Sequence, residues 1–366
     1  MSEAAAPVSS LAELTTLRLG GPADHLVEVT SDEQTVAAVR NSEKLLILAG
    51  GSNVVIADEG FPGTVVVLRQ RGIEAVGARG ETKPAGAPGD APGDAPGDGE
   101  VVRLTVAAGH PWDEVAATAV ANGWAGVESL SGIPGSAGAT PIQNVGAYGQ
   151  EVAETITEVR VYDRVRDEIV TVPAAACGFA YRTSVFKHNE RFVVLSVTFE
   201  LAVSPVSTPI RYAELARTLG VAQGEAAPLK EVREAVLQLR AGKGMVLDPA
   251  DRDTFSVGSF FTNPVVAADA VAVVRDAAGE PPAWPAPDGM VKLSAAWLIE
   301  RAGFTKGYGN LATGVALSGK HTLALTNRGT GTTAALLDLA REIRAGVRAK
   351  FGVELHPEPV LVNCEL

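Results

Sequence analysis

Between residues 132 and 149 the chain reads Gly-Ile-Pro-Gly-Ser-Ala-Gly-Ala-Thr-Pro-Ile-Gln-Asn-Val-Gly-Ala-Tyr-Gly, a stretch that no regular helix or strand can hold. Glycine costs backbone entropy inside either element and proline removes a donor, so this mid-chain segment is committed to loop. The glycines are too many for one tight turn. Without side chains the backbone can come close to a ligand, and successive N–H groups form nests that hold phosphate oxygens. A second loop of similar make-up, Gly50-Gly51-Ser52-Asn53, follows a predicted buried strand over 44–48. Each loop reads either as a structural turn or as an anion cradle.

Two familiar nucleotide signatures do not apply. No Gly-Lys-Ser/Thr follows either loop, and glycines 132, 135 and 138 are spaced three apart, unlike the dinucleotide fingerprint. Gly329-Thr-Gly331-Thr-Thr-Ala334 has the fingerprint spacing between a predicted strand at 321–326 and a helix at 332–350. No further βα units follow it, so a helix N-terminus capped by Thr330 or Thr332 is expected there, not a cofactor.

Elsewhere short strands and helices alternate. Ser31-Asp32-Glu33-Gln34 is a capping box that opens a helix to about residue 42. Strands are expected near 25–29, 64–68, 101–107, 156–162, 168–172 and 192–200. Pro111 opens a helix that Gly123 stops. Later helices are expected at 211–219, 228–241, 266–278 and 294–302, and a last strand at 359–362. The class is therefore α+β or α/β. At 366 residues the chain exceeds one average core. Pro205 and Pro209 mark a break, giving domains over 15–203 and 204–366 after a disordered 1–14. Residues 78–99, with Ala-Pro-Gly-Asp three times over 87–98, can bury nothing and read as a disordered insertion within the first domain.

Charge narrows the partners. Asp and Glu number 43 against 31 Lys and Arg, a net charge of −12 that repels nucleic-acid backbones and anionic membranes. No apolar run approaches the roughly 18 residues of a membrane span, and no signal peptide is visible at the N-terminus. A cytoplasmic monomer is expected. Cys177, Cys364 and the histidines show no metal-ligand spacing, so no metal site is expected.

Three segments carry candidate chemistry. Tyr181-Arg182-Thr183-Ser184-Val185-Phe186-Lys187 sets two cations beside hydroxyls, suited to a carboxylate or enolate, or else to a surface ion pair. Gly258-Ser259-Phe260-Phe261-Thr262-Asn263-Pro264 would be anchored by its paired phenylalanines, leaving Ser259 and Asn263 to face a cavity. Gly-x-Ser-x-Gly and a readable triad are absent, which disfavours a nucleophilic serine, whereas a serine hydroxyl can protonate a strongly basic carbanion. His356-Pro357-Glu358-Pro359 holds a carboxylate on a rigid backbone.

Taken in order, TTLRLGGPA, AGGSN, GIPGSAGATPIQNVGAYG, YRTSVFK, GSFFTNP and LHPEP closely resemble the UDP-N-acetylenolpyruvoylglucosamine reductase (UDP-N-acetylmuramate dehydrogenase) family, from about Thr15 to Val362. The resemblance implies an α+β protein. An FAD-binding domain of the vanillyl-alcohol-oxidase-like (PCMH) type, with two lobes, would span 15–203, and an α/β substrate-binding domain 204–366. It places FAD against Gly50, Gly51, Ser52 and Asn53, and against Pro134, Gly135, Gly138, Thr140, Ile142 and Gly146. Ser52 stands where many oxidases of that superfamily carry a histidine bonded to flavin, so the FAD is expected to be non-covalent. NADPH is the implied co-substrate, and the substrate the enolpyruvyl ether of UDP-N-acetylglucosamine, reduced to UDP-N-acetylmuramate in cell-wall synthesis. By the same resemblance Ser259 is the proton donor, and Arg182 and Glu358 stabilise the enolic intermediate. Tyr212 matches the lid tyrosine of the type I subclass; Lys243 and Asn263 match substrate-holding residues. Thr262 stands where lysine is frequent in the family.

Two rival functions remain open to a sequence of this kind. An FAD-dependent sugar or alcohol oxidase on the same fold would pass electrons to oxygen, but Ser52 and a serine acid argue against it. A nucleotide-binding module without activity would have no use for a proton donor and its enolate partners.

Overall fold

The structure, a computed structural model, describes residues 10–77, the backbone of 82–84, and residues 100–366. The disorder expected for 1–9 and for the Ala-Pro-Gly-Asp repeats lies outside the described residues. Two parts of those expectations are corrected. Leu11–Leu14 form a 3-10 turn capped by the Ser10 hydroxyl, with Leu11 wholly buried, because an apolar side chain followed by a cap has somewhere to pack. Thr82–Pro84 form a short strand, antiparallel to Ile73–Gly77, inside the span expected to be disordered.

The chain divides into two compact units. Among the described residues, one comprises those of 10–25, 51–63 and 242–366; the other, those of 26–50 and 64–241. The chain therefore crosses for the last time at 241/242, and not at the proline-marked 203/204. The reason lies in buried polar contacts that fasten residues 204–241 to the second unit. Glu128, fully buried, accepts from the backbone N–H groups of Gly126 (2.6 Å) and Thr208 (3.0 Å) and from the Gln150 amide (2.8 Å). Arg233 grips Asp113 through two parallel bonds of 2.7 and 2.8 Å, the fork geometry that makes such pairs strong.

The second unit is built on a mixed-length antiparallel sheet in the order Glu168–Pro173, Ile156–Asp163, Phe192–Val203, Val101–Ala107, Ile73–Gly77, Thr82–Pro84. Alternate residues such as Val159, Val161, Val197 and Phe199 are buried, as a half-buried strand requires. Helix Trp112–Ala121 adds Trp112 and Val115 to that core. Leu45–Leu48 runs parallel to residues 64–67. Helices Ala213–Leu219 and Leu229–Gly242 bury their own small cluster, Ile210, Leu215, Val232 and Val236, with Tyr148 packed against it.

The first unit packs helices Ala268–Ala278, Ala295–Arg301 and Thr333–Phe351 around Phe260, Phe261, Leu298, Leu325 and Ile343. Val54–Ile56 pairs in parallel with Val360–Val362, so the strand expected at 359–362 finds its partner some 300 residues away. The strand expected at 321–326 is shorter and later, Leu325–Asn327. Residues 321–324 turn instead, with the Ala324 N–H on the His321 carbonyl.

Local signals mostly fell where the chemistry put them. Ser31 caps Asp32–Arg40 by accepting from the Gln34 N–H, while the Gln34 side chain reaches the Thr30 N–H, one residue beyond the usual box. The fingerprint-like segment is a capped helix start. Thr332 accepts from the Ala335 N–H, and the Asp58 carboxylate takes the N–H groups of Thr333 and Ala334 at 2.8 and 2.9 Å. A side chain on Gly331 would lie 2.6 Å from the Gly314 carbonyl oxygen, so that glycine serves close packing.

Candidate active site

In the second unit the two glycine loops meet. A methyl group on Gly50 would come 2.5 Å from the Gly135 Cα, which only two bare backbones can tolerate. Gly135 is held in turn by the Trp112 N–H on its carbonyl (3.0 Å). Gly138 backs onto residue 108, its N–H on the Ala108 carbonyl, and a Cβ there would sit 2.5 Å from the Ala108 methyl. Thr140 is buried with its hydroxyl on the Ala137 carbonyl, and the Ile142 carbonyl accepts from the Ser184 hydroxyl. Pro134 lies in the same loop. The result is a surface of side-chain-free backbone at Gly50 and Gly135, the kind of cradle a dinucleotide needs for close approach. FAD fits the residues present, and Ser52 offers no imidazole for a covalent bond.

Arg182 stands at the edge of this stretch in a tight turn closed by reciprocal bonds between Ala180 and Thr183 (3.1 and 3.2 Å). It adopts φ 54°, where glycine is usual. Its guanidinium donates to the carbonyls of Asn144 (3.3 Å) and Gly146 (2.7 Å), lies 3.9 Å from Glu151, and stacks over the Tyr181 ring at 5.3 Å. Lys187 donates to the Arg182 carbonyl. The cation is fixed by its surroundings, not left on the surface.

Tyr212 precedes helix Ala213–Leu219 and is 43% exposed. Its ring meets Tyr148 edge-on at 5.5 Å between centroids. Burial pushes the Tyr148 phenol up to about 12. Arg211 next to it bonds the Gly149 carbonyl and Glu154 (2.8 Å).

In the first unit the loop segments that carry Ser259 and Glu358 run side by side, joined by an isolated antiparallel bridge between Phe261 and Pro357. Phe260 and Phe261 are buried edge-to-face at 5.0 Å, the anchors expected of them. The Glu358 N–H donates to the Phe260 carbonyl (2.8 Å) and the Thr262 N–H to the His356 carbonyl (3.0 Å). Glu358 is thus tied through its backbone to the residue that follows Ser259, and both Ser259 and Glu358 are half-buried. Asn263 has its amide oxygen on the Ala295 N–H (3.0 Å), a helix-start contact that sequence did not suggest. Gly51, with φ 55°, lies against Leu14, and the Asn53 carbonyl accepts from the Val360 N–H. Lys243 is half-buried just beyond helix Leu229–Gly242.

Several residues here escaped the sequence reading, chiefly Asn144, Tyr148, Glu151 and Glu128. The only local signal was their place in or beside the glycine-rich stretch.

Comparison with known proteins turns this geometry into a class. Residues 23–172 match the model of an FAD binding domain. Bare-backbone loops within an α+β chain, together with that match, define an FAD-dependent oxidoreductase fold of the expected type. Residues 248–362 match the C-terminal domain of UDP-N-acetylenolpyruvoylglucosamine reductase. A reductase of that name from Salinispora arenicola is 58% identical over 364 residues, covering 97% of this chain and 95% of the relative. One from Thermobifida fusca is 53% identical and covers 97% of each. The chain belongs to the UDP-N-acetylenolpyruvoylglucosamine reductase family, FAD-dependent enzymes that use NADP(H). The crystal structure of the Thermus caldophilus reductase, 22% identical, aligns over 98% of both chains with a TM-score of 0.63 and so shares the fold. Among the described residues no helix is long and apolar enough to cross a membrane.

Proposed function

We propose that this chain reduces the enolpyruvyl ether of UDP-N-acetylglucosamine to UDP-N-acetylmuramate in peptidoglycan synthesis, with NADPH as reductant. The FAD that the two glycine loops would hold would supply the hydride added to the terminal carbon of the enol ether. Charge then develops on the adjacent carbon and its carboxylate, and the residues of this chain answer it. Arg182 supplies a cation suited to the enolate oxygens. Glu358 stabilises the same intermediate, and Ser259 donates the proton that completes the reduction. Gly50, Gly51, Ser52, Asn53, Pro134, Gly135, Gly138, Thr140, Ile142 and Gly146 hold FAD non-covalently. Lys243 and Asn263 hold the sugar nucleotide, and Tyr212 closes over it.

The observation that carries this reading is the backbone bond from the Glu358 N–H to the carbonyl of Phe260, which brings the segments of Ser259 and Glu358 together. With no triad readable in the sequence, a serine in this segment suits protonation better than nucleophilic attack. The test separates the two half-reactions by stopped flow. In Ser259→Ala, flavin reduction by NADPH stays near the wild-type rate, while reoxidation by the enolpyruvyl sugar nucleotide falls about 10²–10⁴-fold, the usual worth of a general acid. Full turnover in Ser259→Ala removes the serine's role. Rapid NADPH oxidation with oxygen alone favours the oxidase reading instead.

A further inference from the structure

Arg182 is a non-glycine residue at φ 54° whose guanidinium is aimed at the carbonyls of Asn144 and Gly146. Four contacts of one buried residue hold this arrangement. Asn144 is 1% exposed and itself adopts φ 47°. Its amide nitrogen donates to Glu151 (2.7 Å) and to the Ala180 carbonyl (3.2 Å), and its amide oxygen accepts from the Ala153 N–H (3.1 Å). Its main-chain carbonyl accepts from Arg182 (3.3 Å). One asparagine thus ties together the three segments around the arginine: 144–146, 151–153 and the turn that begins at Ala180.

Gly146 completes the arrangement. Its carbonyl takes the shortest Arg182 bond (2.7 Å). A Cβ there would lie 2.8 Å from the Glu151 Cγ and 3.1 Å from the Arg182 Nη1, so any side chain at this position would press on both. Glu151 pairs with Gly146 in the two-stranded ribbon Gly146–Ala147 and Gln150–Glu151, which fixes its approach to Asn144.

We propose that Asn144 is the positioning residue for Arg182, and that Glu151 acts mainly as the acceptor that orients the Asn144 amide. The inference rests on the proposed role of Arg182. A direct ion pair is the competing account of Glu151, but at 3.9 Å and with its side chain 38% exposed it contributes little. The two accounts differ for one substitution. In Glu151→Gln the side-chain oxygen still accepts from Asn144 while the charge is gone; in Glu151→Ala both are gone.

The experiment uses FAD-loaded protein and follows both half-reactions, with NADPH and then with the enolpyruvyl ether of UDP-N-acetylglucosamine. In Asn144→Ala and Glu151→Ala, reoxidation is expected to slow about 10–100-fold, the scale set by misplacing a reacting partner by about 1 Å. Flavin reduction by NADPH should stay within about twofold, which a general loosening of the fold would not allow. Glu151→Gln should recover most of the rate lost in Glu151→Ala. Should Glu151→Gln be as slow as Glu151→Ala, the ion pair is the operative contact and the inference is overturned. Wild-type reoxidation in Asn144→Ala overturns it as well. If Asn144→Ala does not retain FAD, the Glu151 pair decides alone. Arg182→Ala separates the two levels: if it leaves reoxidation intact, the role of Arg182 falls and this inference with it. If it slows reoxidation while Asn144→Ala and Glu151→Ala do not, only the positioning role falls.

Discussion

Replacing Gly50 with alanine tests the meeting of the two glycine loops most directly. The added methyl would sit 2.5 Å from the Gly135 Cα, 3.1 Å from its carbonyl carbon and 3.3 Å from its nitrogen. Carbon atoms rest about 3.5–4.0 Å apart, so the two backbones must separate by about 1 Å. Gly135 cannot retreat freely, because its carbonyl holds the Trp112 N–H and Trp112 is fully buried. Overpacking of this kind costs about 1–3 kcal/mol. With roughly 2–4 °C lost per kcal/mol in a unit of this size, the melting temperature should drop by about 2–12 °C. If the separated loops are those that hold FAD, the flavin dissociation constant should rise roughly 5- to 150-fold, at about 1.4 kcal/mol per tenfold. Gly77→Ala is the control: among the described residues a methyl group there would meet nothing within 4 Å, and both quantities should stay put. The assay is thermal unfolding with and without added FAD, alongside flavin titration of the apoprotein. An unchanged melting temperature in Gly50→Ala refutes the close approach. A lowered melting temperature with unchanged flavin affinity refutes the assignment of these loops to FAD.

Other outcomes are expected elsewhere in the chain. Asp58→Ala strips two N–H acceptors from the start of helix Thr333–Phe351 and should destabilise the protein by about 1–2 kcal/mol in urea unfolding, with flavin affinity unchanged. A loss of flavin binding there would reopen a cofactor role for Gly329–Ala334. Tyr148→Ala removes the ring against Tyr212, and should raise KM for the sugar nucleotide several-fold while NADPH-driven flavin reduction is unaltered. An unchanged KM would show that the edge contact does not help hold Tyr212. Hydrogen bonding to Arg191 lowers the Asp163 pKa to about 2. A depressed carboxylate contributes stability above its ordinary pKa near 3.8 and loses it as pH falls through about 2. Asp163→Asn should therefore flatten the stability profile between about pH 4 and 2, as urea midpoints across that range would reveal.

Much of the chain was legible locally. Ser31 and Thr332 cap helices because a hydroxyl needs only the N–H groups of its own first turn. The paired phenylalanines anchor 258–264 as expected, and the motif order pointed to the family. The domain break was misplaced because prolines report a change of local conformation. They do not report the burial of Glu128 beneath Thr208 or the grip of Arg233 on Asp113. The disordered insertion was drawn too wide at Thr82–Pro84, where pairing with Ile73–Gly77 outweighs composition.

The sequence by itself singled out two glycine-rich loops, a serine, an arginine and a glutamate as candidates, since those choices rest on residue chemistry, on spacing within a few positions and on the order of the family's motifs. Only the tertiary structure decided that Gly50 would touch Gly135, that Glu358 would hang from the Phe260 carbonyl, and that Asn144 would gather three segments around Arg182. Each of those contacts joins residues from separate stretches of the chain. Many other glycines, carbonyls or amides could have served as well, so the partner is chosen by how strands and helices pack and not by any signal beside it.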